Sequence, residues 1–511
     1  MDGSNNKYAI ECSNITKSFG SVKANDHIDL QVGYGEILAL LGENGSGKTT
    51  LMNILSGIYY PDEGEVIVNG TPVTINSPTD ASRLGIGMIH QHFKLVDVFS
   101  AMDNIILGTK EKRISPKLLK DKILTLCKTY GLEIDPQKKV YEMSVSEKQT
   151  VEIVKVLYGG AKILILDEPT AVLTPQETRK LFDILREMRK QGNAIIIITH
   201  KLNEVMEISD RVTILRKGRV IQTVATSKTN EIDLTTMMVG KKVDLQIERP
   251  IVENQKHVLK VRNLEVTNKD GIKTLKNVNF DLSAGEIIGV AGVAGSGQKE
   301  LCEAITGLQK ISEGSIQYHD IELAGKTPRE IMKCGIRISF VPEDRLGMGL
   351  IGTMGITDNI LLKTYRNGKG MFVDRKPAKQ LADQLVEKLR ISTPGIGTPV
   401  RLLSGGNVQK VLLGREIEMN PSVLITAYPV RGLDINSTYT VYDLINQQKK
   451  AGVAVLFIGE DLDVLLALAD KILVLCNGEA VGFVNASEIT KEEVGMMMGG
   501  GMIDESAAET R

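Results

Sequence analysis

Short apolar runs alternate along the chain with segments of helical spacing. Three runs are almost wholly apolar, which is typical of strands buried on both faces of a parallel sheet: residues 36–41, 162–166 and 194–199. Residues 51–55 predict the opening of a helix, and residues 115–132 predict a helical insert. The alternation predicts an α/β fold built around a largely parallel sheet, with a β-rich start.

The chain repeats itself once. Residues 35–42 read Gly-Glu-Ile-Leu-Ala-Leu-Leu-Gly, and residues 285–292 read Gly-Glu-Ile-Ile-Gly-Val-Ala-Gly. A chain of 511 residues is also too long for one hydrophobic core. A duplicated domain explains both observations. We expect a first domain at 1–243, a linker at 244–257, a second domain at 258–499 and a disordered tail at 500–511.

The composition excludes several classes of protein. The 62 basic and 63 acidic residues give a net charge of -1, which provides no basic field for nucleic acid. The five cysteines are far apart, so neither a disulfide framework nor a zinc site is indicated, and a reducing compartment suits them. No apolar stretch reaches the roughly 18 residues of a membrane helix. We therefore expect no transmembrane segment and no nucleic acid partner, and a membrane role only through other proteins.

A glycine-rich stretch follows the first apolar run. It matches the phosphate-loop pattern G-x-x-x-x-G-K-[ST] and consists of Gly42, Glu43, Asn44, Gly45, Ser46, Gly47, Lys48, Thr49 and Thr50. Glycines let backbone N–H groups approach phosphate oxygens, and the following helix adds the positive end of its dipole. We expect Lys48 to reach the β- and γ-phosphates of a nucleotide and the Thr49 hydroxyl to bind Mg²⁺. The alternative is a glycine-rich turn with a chance lysine.

Two acidic residues follow the second apolar run. Asp167 suits a Mg²⁺ ligand acting through water, and Glu168 suits the group that orients or deprotonates the attacking water. The alternative is a helix N-cap with a neighbouring acid.

Three further side chains complete this set in the first half. Gln91 suits a polar sensor of Mg²⁺ and the γ-phosphate. His200 follows the third apolar run and is placed to donate to the γ-phosphate, unless it is a structural histidine. Phe19 suits stacking on an adenine ring, with core packing as the alternative. The first half therefore predicts nucleotide hydrolysis, with Glu168, His200, Gln91 and Lys48 as the catalytic set.

With these residues in place, the chain resembles the tandem ATP-binding subunits of ABC transporters over nearly all its length. The resemblance implies two P-loop NTPase domains, each with a β-rich subdomain, a RecA-like parallel-sheet core and a helical subdomain. It also implies ATP and Mg²⁺ as cofactors. In that family two domains face each other head to tail, and each ATP lies between one phosphate loop and a Leu-Ser-Gly-Gly-Gln-type signature of the other domain.

The second half keeps a signature but loses the phosphate chemistry. The signature residues are Ser404, Gly405, Gly406 and Asn407, and Asp434 matches the family's D-loop. Alignment of the two halves shows that the candidate phosphate-binding and catalytic residues of the first half are each replaced by a different residue type in the second: Gln298 replaces Lys48, Lys299 replaces Thr49, Ala427 replaces Asp167, Tyr428 replaces Glu168, Glu343 replaces Gln91 and Glu460 replaces His200.

The first half shows the opposite loss. Its signature region reads Met-Ser-Val-Ser-Glu at 143–147, without either glycine, and Thr174 occupies the D-loop position. The losses therefore fall on one of the two sites that the family arrangement implies. We expect one complete hydrolytic site and one degenerate site.

The layout resembles the ATPases of bacterial sugar and nucleoside importers, and residues 90–96 and 171–175 resemble the nucleoside type. The resemblance implies two integral membrane permease subunits, an extracytoplasmic substrate-binding protein and a peripheral place on the cytoplasmic face of the cell membrane. Residues 93–104 and 346–359 would receive the coupling helices of the permease. The alternatives are import of a monosaccharide such as ribose or galactose, a soluble tandem ABC protein acting on ribosomes or DNA, and an enzyme that phosphorylates a small molecule.

Overall fold

The computed structural model describes residues 7–20, 22–90, 93–108, 115–241, 246–252, 256–365 and 372–501. The chain forms two compact units, residues 1–244 and 245–511. Of the predicted linker and tail, residues 244, 245, 253–255 and 502–511 lie outside the described part of the chain. The domain boundaries given above therefore stay predictions.

The strands of the first unit form two sheets. Their bounds are β1 Tyr8–Phe19, β2 Val22–Gly33, β3 Ile37–Leu41, β4 Glu63–Val68, β5 Thr71–Val73, β6 Ile86–Ile89, β7 Ile163–Asp167, β8 Ala194–Ile198, β9 Arg211–Arg216 and β10 Arg219–Ala225. One sheet is antiparallel, in the order β2-β1-β4-β5. The other has the order β10-β9-β3-β8-β7-β6, and only β10 is antiparallel to its neighbour. The predicted parallel sheet and β-rich start are confirmed.

The helices of the first unit connect these strands. They are α1 Lys48–Leu55, α2 Pro78–Arg83, α3 Ala101–Ile106, α4 Pro116–Tyr130, α5 Val145–Tyr158, α6 Pro175–Lys190, α7 Leu202–Ile208 and α8 Glu231–Val239. The helical insert predicted at 115–132 is α4. Ser115 caps its first turn by accepting a hydrogen bond from the Leu118 N–H, and Gly131 ends it in the left-handed conformation, at φ 66°.

The parallel sheet of the first unit is buried on both faces, as its apolar sequence predicts. Every residue of β3 and β8 is buried. Successive side chains of a strand point to opposite faces. Leu38 and Leu40 pack with the antiparallel sheet, whereas Ile37 packs in the core that includes α3, α4, α5 and α6. The sheet thus separates a β-rich layer from a helical layer.

The second unit has the same order of elements. Its strands are β11 His257–Thr267, β12 Lys273–Ser283, β13 Ile287–Gly292, β14 Glu313–Tyr318, β15 Ile321–Glu322, β16 Ile338–Val341, β17 Val423–Ala427, β18 Ala454–Ile458, β19 Lys471–Cys476 and β20 Glu479–Asn485. Its helices are α9 Gln298–Ile305, α10 Pro328–Lys333, α11 Ile356–Thr364, α12 Lys376–Lys388, α13 Gly405–Glu418, α14 Ile435–Lys450, α15 Leu462–Leu468 and α16 Lys491–Met498. Unlike those of the first unit, these strands form one sheet because β12 pairs with β20, and they run in the order β15-β14-β11-β12-β20-β19-β13-β18-β17-β16.

In both units the candidate functional residues that follow the parallel strands therefore lie at one edge of the sheet. The strands β3, β7 and β8 of the first unit run parallel, so the residues that follow them meet at the same edge. In the second unit β13, β17 and β18 correspond to these strands. Among the described helices, none combines the length and apolar character that crossing a membrane requires.

Candidate nucleotide-binding site

The phosphate loop of the first unit joins β3 to α1. Gly47 precedes the helix in a left-handed conformation, with φ 102°. A Cβ at Gly47 would lie 2.4 Å from the Ala24 carbonyl oxygen, and one at Gly42 would lie 2.4 Å from that of Leu215. The loop is therefore a cradle that only glycine permits at these two positions. Asn44, Gly45 and Thr49 are exposed, Ser46 is buried, and Glu43 and Thr50 are partly buried.

Lys48 closes the loop from inside. Its Nζ donates to the carbonyl oxygens of Gly42, at 2.6 Å, and Glu43, at 3.0 Å, and its side chain is buried. Burial lowers the pKa of Lys48, and the charges of Glu168 and Asp167 oppose that effect. Sequence reasoning missed Asn25, a fully buried residue whose Nδ2 donates to the Gly47 carbonyl oxygen at 3.1 Å.

Asp167 and Glu168 lie at the end of β7. Burial raises the pKa of Asp167, and the neighbouring carboxylate of Glu168 raises it further. Glu168 has φ 49° and donates its N–H to the Ile198 carbonyl oxygen at 2.9 Å. The helix N-cap alternative is wrong, because α6 begins at Pro175 and its cap is Thr174.

His200 follows β8 and contacts Glu168 directly. Its Nδ1 lies 2.8 Å from Glu168 Oε1. The structure therefore brings Glu168 and His200 together, and both carboxylates of this strand end act electrostatically on Lys48. Gln91, the predicted sensor of Mg²⁺, lies outside the described residues.

A buried network holds the segment after Glu168, and sequence reasoning did not find it. Gln149 Nε2 donates to the Pro169 carbonyl oxygen at 2.7 Å. Thr170 Oγ1 donates to Glu204 Oε2 at 2.6 Å, and Lys201 Nζ lies 3.0 Å from Glu204 Oε1. These polar groups are neighbours only after β7, β8 and α5 have packed, so their spacing along the chain carries no signal.

Phe19 ends β1 and is 44% exposed, outside both cores of the first unit. Its ring makes an edge contact with Tyr59, at 5.2 Å between centroids, and Lys17 Nζ lies 5.7 Å from the ring centroid. The core-packing alternative is therefore wrong for this residue. An exposed aromatic face suits stacking on a purine ring.

The loop between β13 and α9 of the second unit corresponds to the phosphate loop but lacks its lysine and its Mg²⁺-binding hydroxyl. Gln298 is buried in the position of Lys48 and its Nε2 donates to the Val293 carbonyl oxygen at 3.1 Å. Lys299 is exposed and lies 3.9 Å from Glu303. Tyr428 has φ 48°, close to that of Glu168, and burial followed by the charges of Glu460 and Glu343 raises its pKa to about 12. A neutral phenol takes the place of a carboxylate there.

The two signature segments differ at the start of their helices. Ser404 caps α13, and its Oγ accepts a hydrogen bond from Asn407 Nδ2 at 2.9 Å. Gly406 is packed tightly, since a Cβ there would lie 2.9 Å from Ser437 Oγ and 3.2 Å from Asp434 Oδ2. Asp434 in turn caps α14.

In the first unit a carboxylate covers the equivalent helix start. Ser144 and Glu147 form a reciprocal capping box at the start of α5. Lys138 Nζ donates to Glu147 Oε1 at 2.7 Å, and this hydrogen bond is the main reason that the pKa of Glu147 is lowered. The helix dipole is therefore already matched by a fixed negative charge.

The contact between Glu168 and His200 predicts a pH-dependent contribution to stability. Partial desolvation lowers the pKa of His200 but the Glu168 carboxylate raises it more, so the pKa lies above its ordinary value of 6.5. The stabilisation is complete below the unfolded-state pKa and is lost as pH rises through the higher folded-state pKa. We expect Glu168→Gln to lower the pKa of His200 in an NMR titration, with the exposed Glu133→Gln as control. An unchanged pKa would show that the contact is absent in solution.

Comparison of the sequence with known proteins shows the family of this chain. The family model described as ABC transporter matches residues 25–171 and 275–429. The nucleoside import ATP-binding protein NupA of Lactococcus lactis subsp. cremoris is 43% identical over 507 residues, which are 98% of this chain and 100% of that protein. The guanosine import ATP-binding protein NupO of Bacillus subtilis is 44% identical over 501 residues, 97% of this chain and 98% of that protein. The ribose import ATP-binding protein RbsA of Clostridium tetani is 37% identical over 493 residues, 95% of this chain and 96% of that protein. The chain belongs to the ABC transporter family, as one of its ATP-binding and ATP-hydrolysing proteins.

Proposed function

We propose that this chain hydrolyses ATP to energise the import of nucleosides through an ABC transporter. The observation that carries the hydrolytic role is the meeting of Lys48, Asp167, Glu168 and His200 at the edge of one parallel sheet. We propose the boundaries 1–243 and 258–499 for the two domains, joined by a linker at 244–257 and followed by a tail at 500–511.

The first phosphate loop fits a nucleotide with Mg²⁺. Gly42 and Gly47 leave room at the places where a Cβ would collide with backbone, and Ser46 Oγ is buried without a hydrogen-bond partner among the described residues. The raised pKa of Asp167 indicates a carboxylate that a cation would stabilise. Thr49, Asp167 and Gln91 are the residues that would hold Mg²⁺, which neutralises charge on the phosphates when bound.

Each side chain of this site then has its own role in binding or hydrolysing ATP. Glu168 orients the attacking water and accepts its proton. His200 is fixed by Glu168 Oε1 through one ring nitrogen, which leaves the other nitrogen to donate to the γ-phosphate. Lys48 supplies a cation to the β- and γ-phosphates, in exchange for its two carbonyl contacts within the loop. Phe19 stacks on the adenine.

The signature for this ATP comes from the second unit in our proposal. Ser404, Gly405, Gly406 and Asn407 begin α13, and Asp434 packs beside Gly406. Support comes from the pattern of losses, because the second phosphate loop and the first signature are both altered, while the first loop and the second signature are both intact. The chain then has one hydrolytic site and one degenerate site.

Two permease subunits and an extracytoplasmic binding protein would complete the transporter, with this chain on the cytoplasmic face of the cell membrane. Exposed apolar side chains support docking of one permease subunit on each unit. In the first unit Val98 is 67% exposed, and in the second Met348 is 49% exposed. They lie in residues 93–104 and 346–359, the segments predicted to receive coupling helices.

Nucleosides are favoured as the solute over monosaccharides. The two nucleoside-import relatives are 43% and 44% identical to this chain, whereas a glucose-import relative is 40% identical and the ribose-import relative is 37% identical. A soluble protein acting on ribosomes or DNA is not favoured, because the relatives named above are import proteins and the net charge is -1.

Uptake by the complete transporter tests the proposal. The chain is expressed with its permease and binding-protein partners in cells that lack nucleoside uptake, and entry of labelled nucleosides, ribose and galactose is measured. We expect uptake of nucleosides alone, and none when Glu168→Gln replaces the wild-type chain. Uptake of ribose or galactose without nucleosides would contradict the solute assignment. If the complex hydrolysed ATP but took up none of these solutes, import of nucleosides, ribose and galactose by this chain would all be contradicted.

A further inference from the structure

The turn after β17 has the same backbone as the turn after β7 but carries a different side chain. In the first unit Ala171 donates its N–H to the Glu168 carbonyl oxygen at 3.2 Å, and in the second Arg431 donates to Tyr428 at the same distance. Glu168 and Tyr428 also share a left-handed conformation, at φ 49° and 48°. The second unit therefore has a guanidinium where the first has a methyl group.

Arg431 binds the two carboxylates that replace the phosphate-sensing residues. Its Nε lies 3.2 Å from Glu460 Oε1, and its Nη1 forms an ion pair with Glu343. Glu343 follows β16, Arg431 follows β17 and Glu460 follows β18. One guanidinium thus joins the ends of three adjacent strands. All three side chains are about half exposed, between 44% and 48%.

The equivalent positions of the first unit contain Gln91, Ala171 and His200, none of which is a permanent cation or anion. In our proposed function Gln91 would help to hold Mg²⁺ and His200 would donate to the γ-phosphate, so a bound nucleotide would connect these two positions. In the second unit Arg431 performs this joining with protein groups alone. The strand ends are consequently held together whether or not a nucleotide is present.

The Arg431 loop continues to the signature of the same unit. Arg345 Nη2 donates to the Arg431 carbonyl oxygen. Arg345 Nη1 also lies 3.5 Å from the place of a Cβ on Gly405, and the Gly432 carbonyl oxygen lies 4.0 Å from it. Arg345 is partly buried. It therefore lies between the turn that contains Arg431, to which it donates a hydrogen bond, and the first residue of α13, which is its neighbour.

We propose that Arg431 is a positioning residue for ATP hydrolysis. Its ion pairs with Glu343 and Glu460 fix the turn after β17, and through Arg345 that turn fixes the start of the signature helix α13. The degenerate half of the chain thereby keeps the signature ready for the ATP bound at the first phosphate loop. This inference rests on the proposed role of Ser404, Gly405 and Gly406 as the signature for that ATP.

Steady-state hydrolysis by the complete transporter tests the inference. We expect Arg431→Met to raise the KM for ATP about fivefold, with a smaller change in kcat. A change of about fivefold is what the loss of two partly exposed ion pairs typically produces. Arg431→Lys should restore part of the loss, because it keeps the charge but not the two-sided contact. Arg262→Met is the matched control. Arg262 lies on strand β11 of the same unit, is 47% exposed and forms an ion pair with Asp281. The control should keep the wild-type KM.

Two further variants separate the possible failures. Glu343→Gln removes one of the two ion pairs and should raise KM in the same direction by less, which keeps the test open if Arg431→Met does not fold. If Gly405→Asp abolishes hydrolysis while Arg431→Met and Glu343→Gln keep the wild-type KM, the role of Arg431 is wrong and the proposed function stands. If Gly405→Asp leaves hydrolysis intact, the assignment of the signature is wrong and the role of Arg431 fails with it.

Discussion

We expect Lys48→Ala to lower the rate of ATP hydrolysis by at least about a hundredfold, the scale on which one preorganised group stabilises charge in a transition state. Gln298→Ala should leave the rate close to wild type. The reason is that Lys48 supplies the only protein cation within the first phosphate loop, and Gln298 occupies the same position in a loop without the Mg²⁺ ligand or the catalytic carboxylate. Phosphate release by the complete transporter measures both rates.

The two substitutions are matched in their structural cost. Each removes a buried side chain that donates to a carbonyl oxygen of its own loop. Lys48→Gln is a useful third variant, because Gln298 shows that this loop accepts glutamine. It should be as inactive as Lys48→Ala. Equal losses from Lys48→Ala and Gln298→Ala would contradict the assignment of one hydrolytic site.

Glu168→Gln should lower turnover by about 10²–10⁴-fold, the usual contribution of a general base, while ATP binding should persist. The amide keeps the size of the side chain but does not accept a proton from water, and its hydrogen bond to His200 is weaker than that of a carboxylate. We expect the variant to hold ATP in a closed state, because the lysine, the Mg²⁺ ligands and the signature are unchanged.

Single-turnover experiments with labelled ATP measure this effect. The variant should retain uncleaved ATP after rapid removal of free nucleotide, and the wild-type chain should retain mainly ADP. Glu133→Gln, an exposed substitution in the same unit, controls for the loss of one negative charge. Rapid cleavage of the bound ATP by Glu168→Gln would exclude Glu168 as the base.

The fold, and the phosphate-binding character of the first loop, could be predicted from local sequence patterns. The apolar run at 36–41 corresponds to β3 Ile37–Leu41, and the run at 162–166 corresponds to β7 Ile163–Asp167. Strands buried on both faces have continuous apolar sequences, so their positions are visible in one chain. The glycine pattern is likewise visible in nine consecutive residues, although the carbonyl oxygens of Ala24 and Leu215 that exclude a Cβ come from distant segments.

Contacts between distant segments were not visible in the same way. The hydrogen bond between Glu168 and His200 exists because β7 and β8 are neighbours in the sheet, and the capping box of Glu147 gains Lys138 only when the preceding loop folds back. The sequence shows that residues 143–147 lack both signature glycines, but it does not show that Glu147 is paired with Lys138. The ion pairs of Arg431 need three strand ends at once.

The turns after β7 and β17 have the same backbone conformation although their side chains differ. A tyrosine in the left-handed conformation costs about 1–2 kcal/mol relative to ordinary backbone, yet Tyr428 keeps it at φ 48° with a phenol in place of the carboxylate. Its N–H donates to Ile458 as that of Glu168 donates to Ile198, each at 2.9 Å. The turn is therefore a requirement of the strand end itself, and it forms with a phenol as well as with a carboxylate at this position.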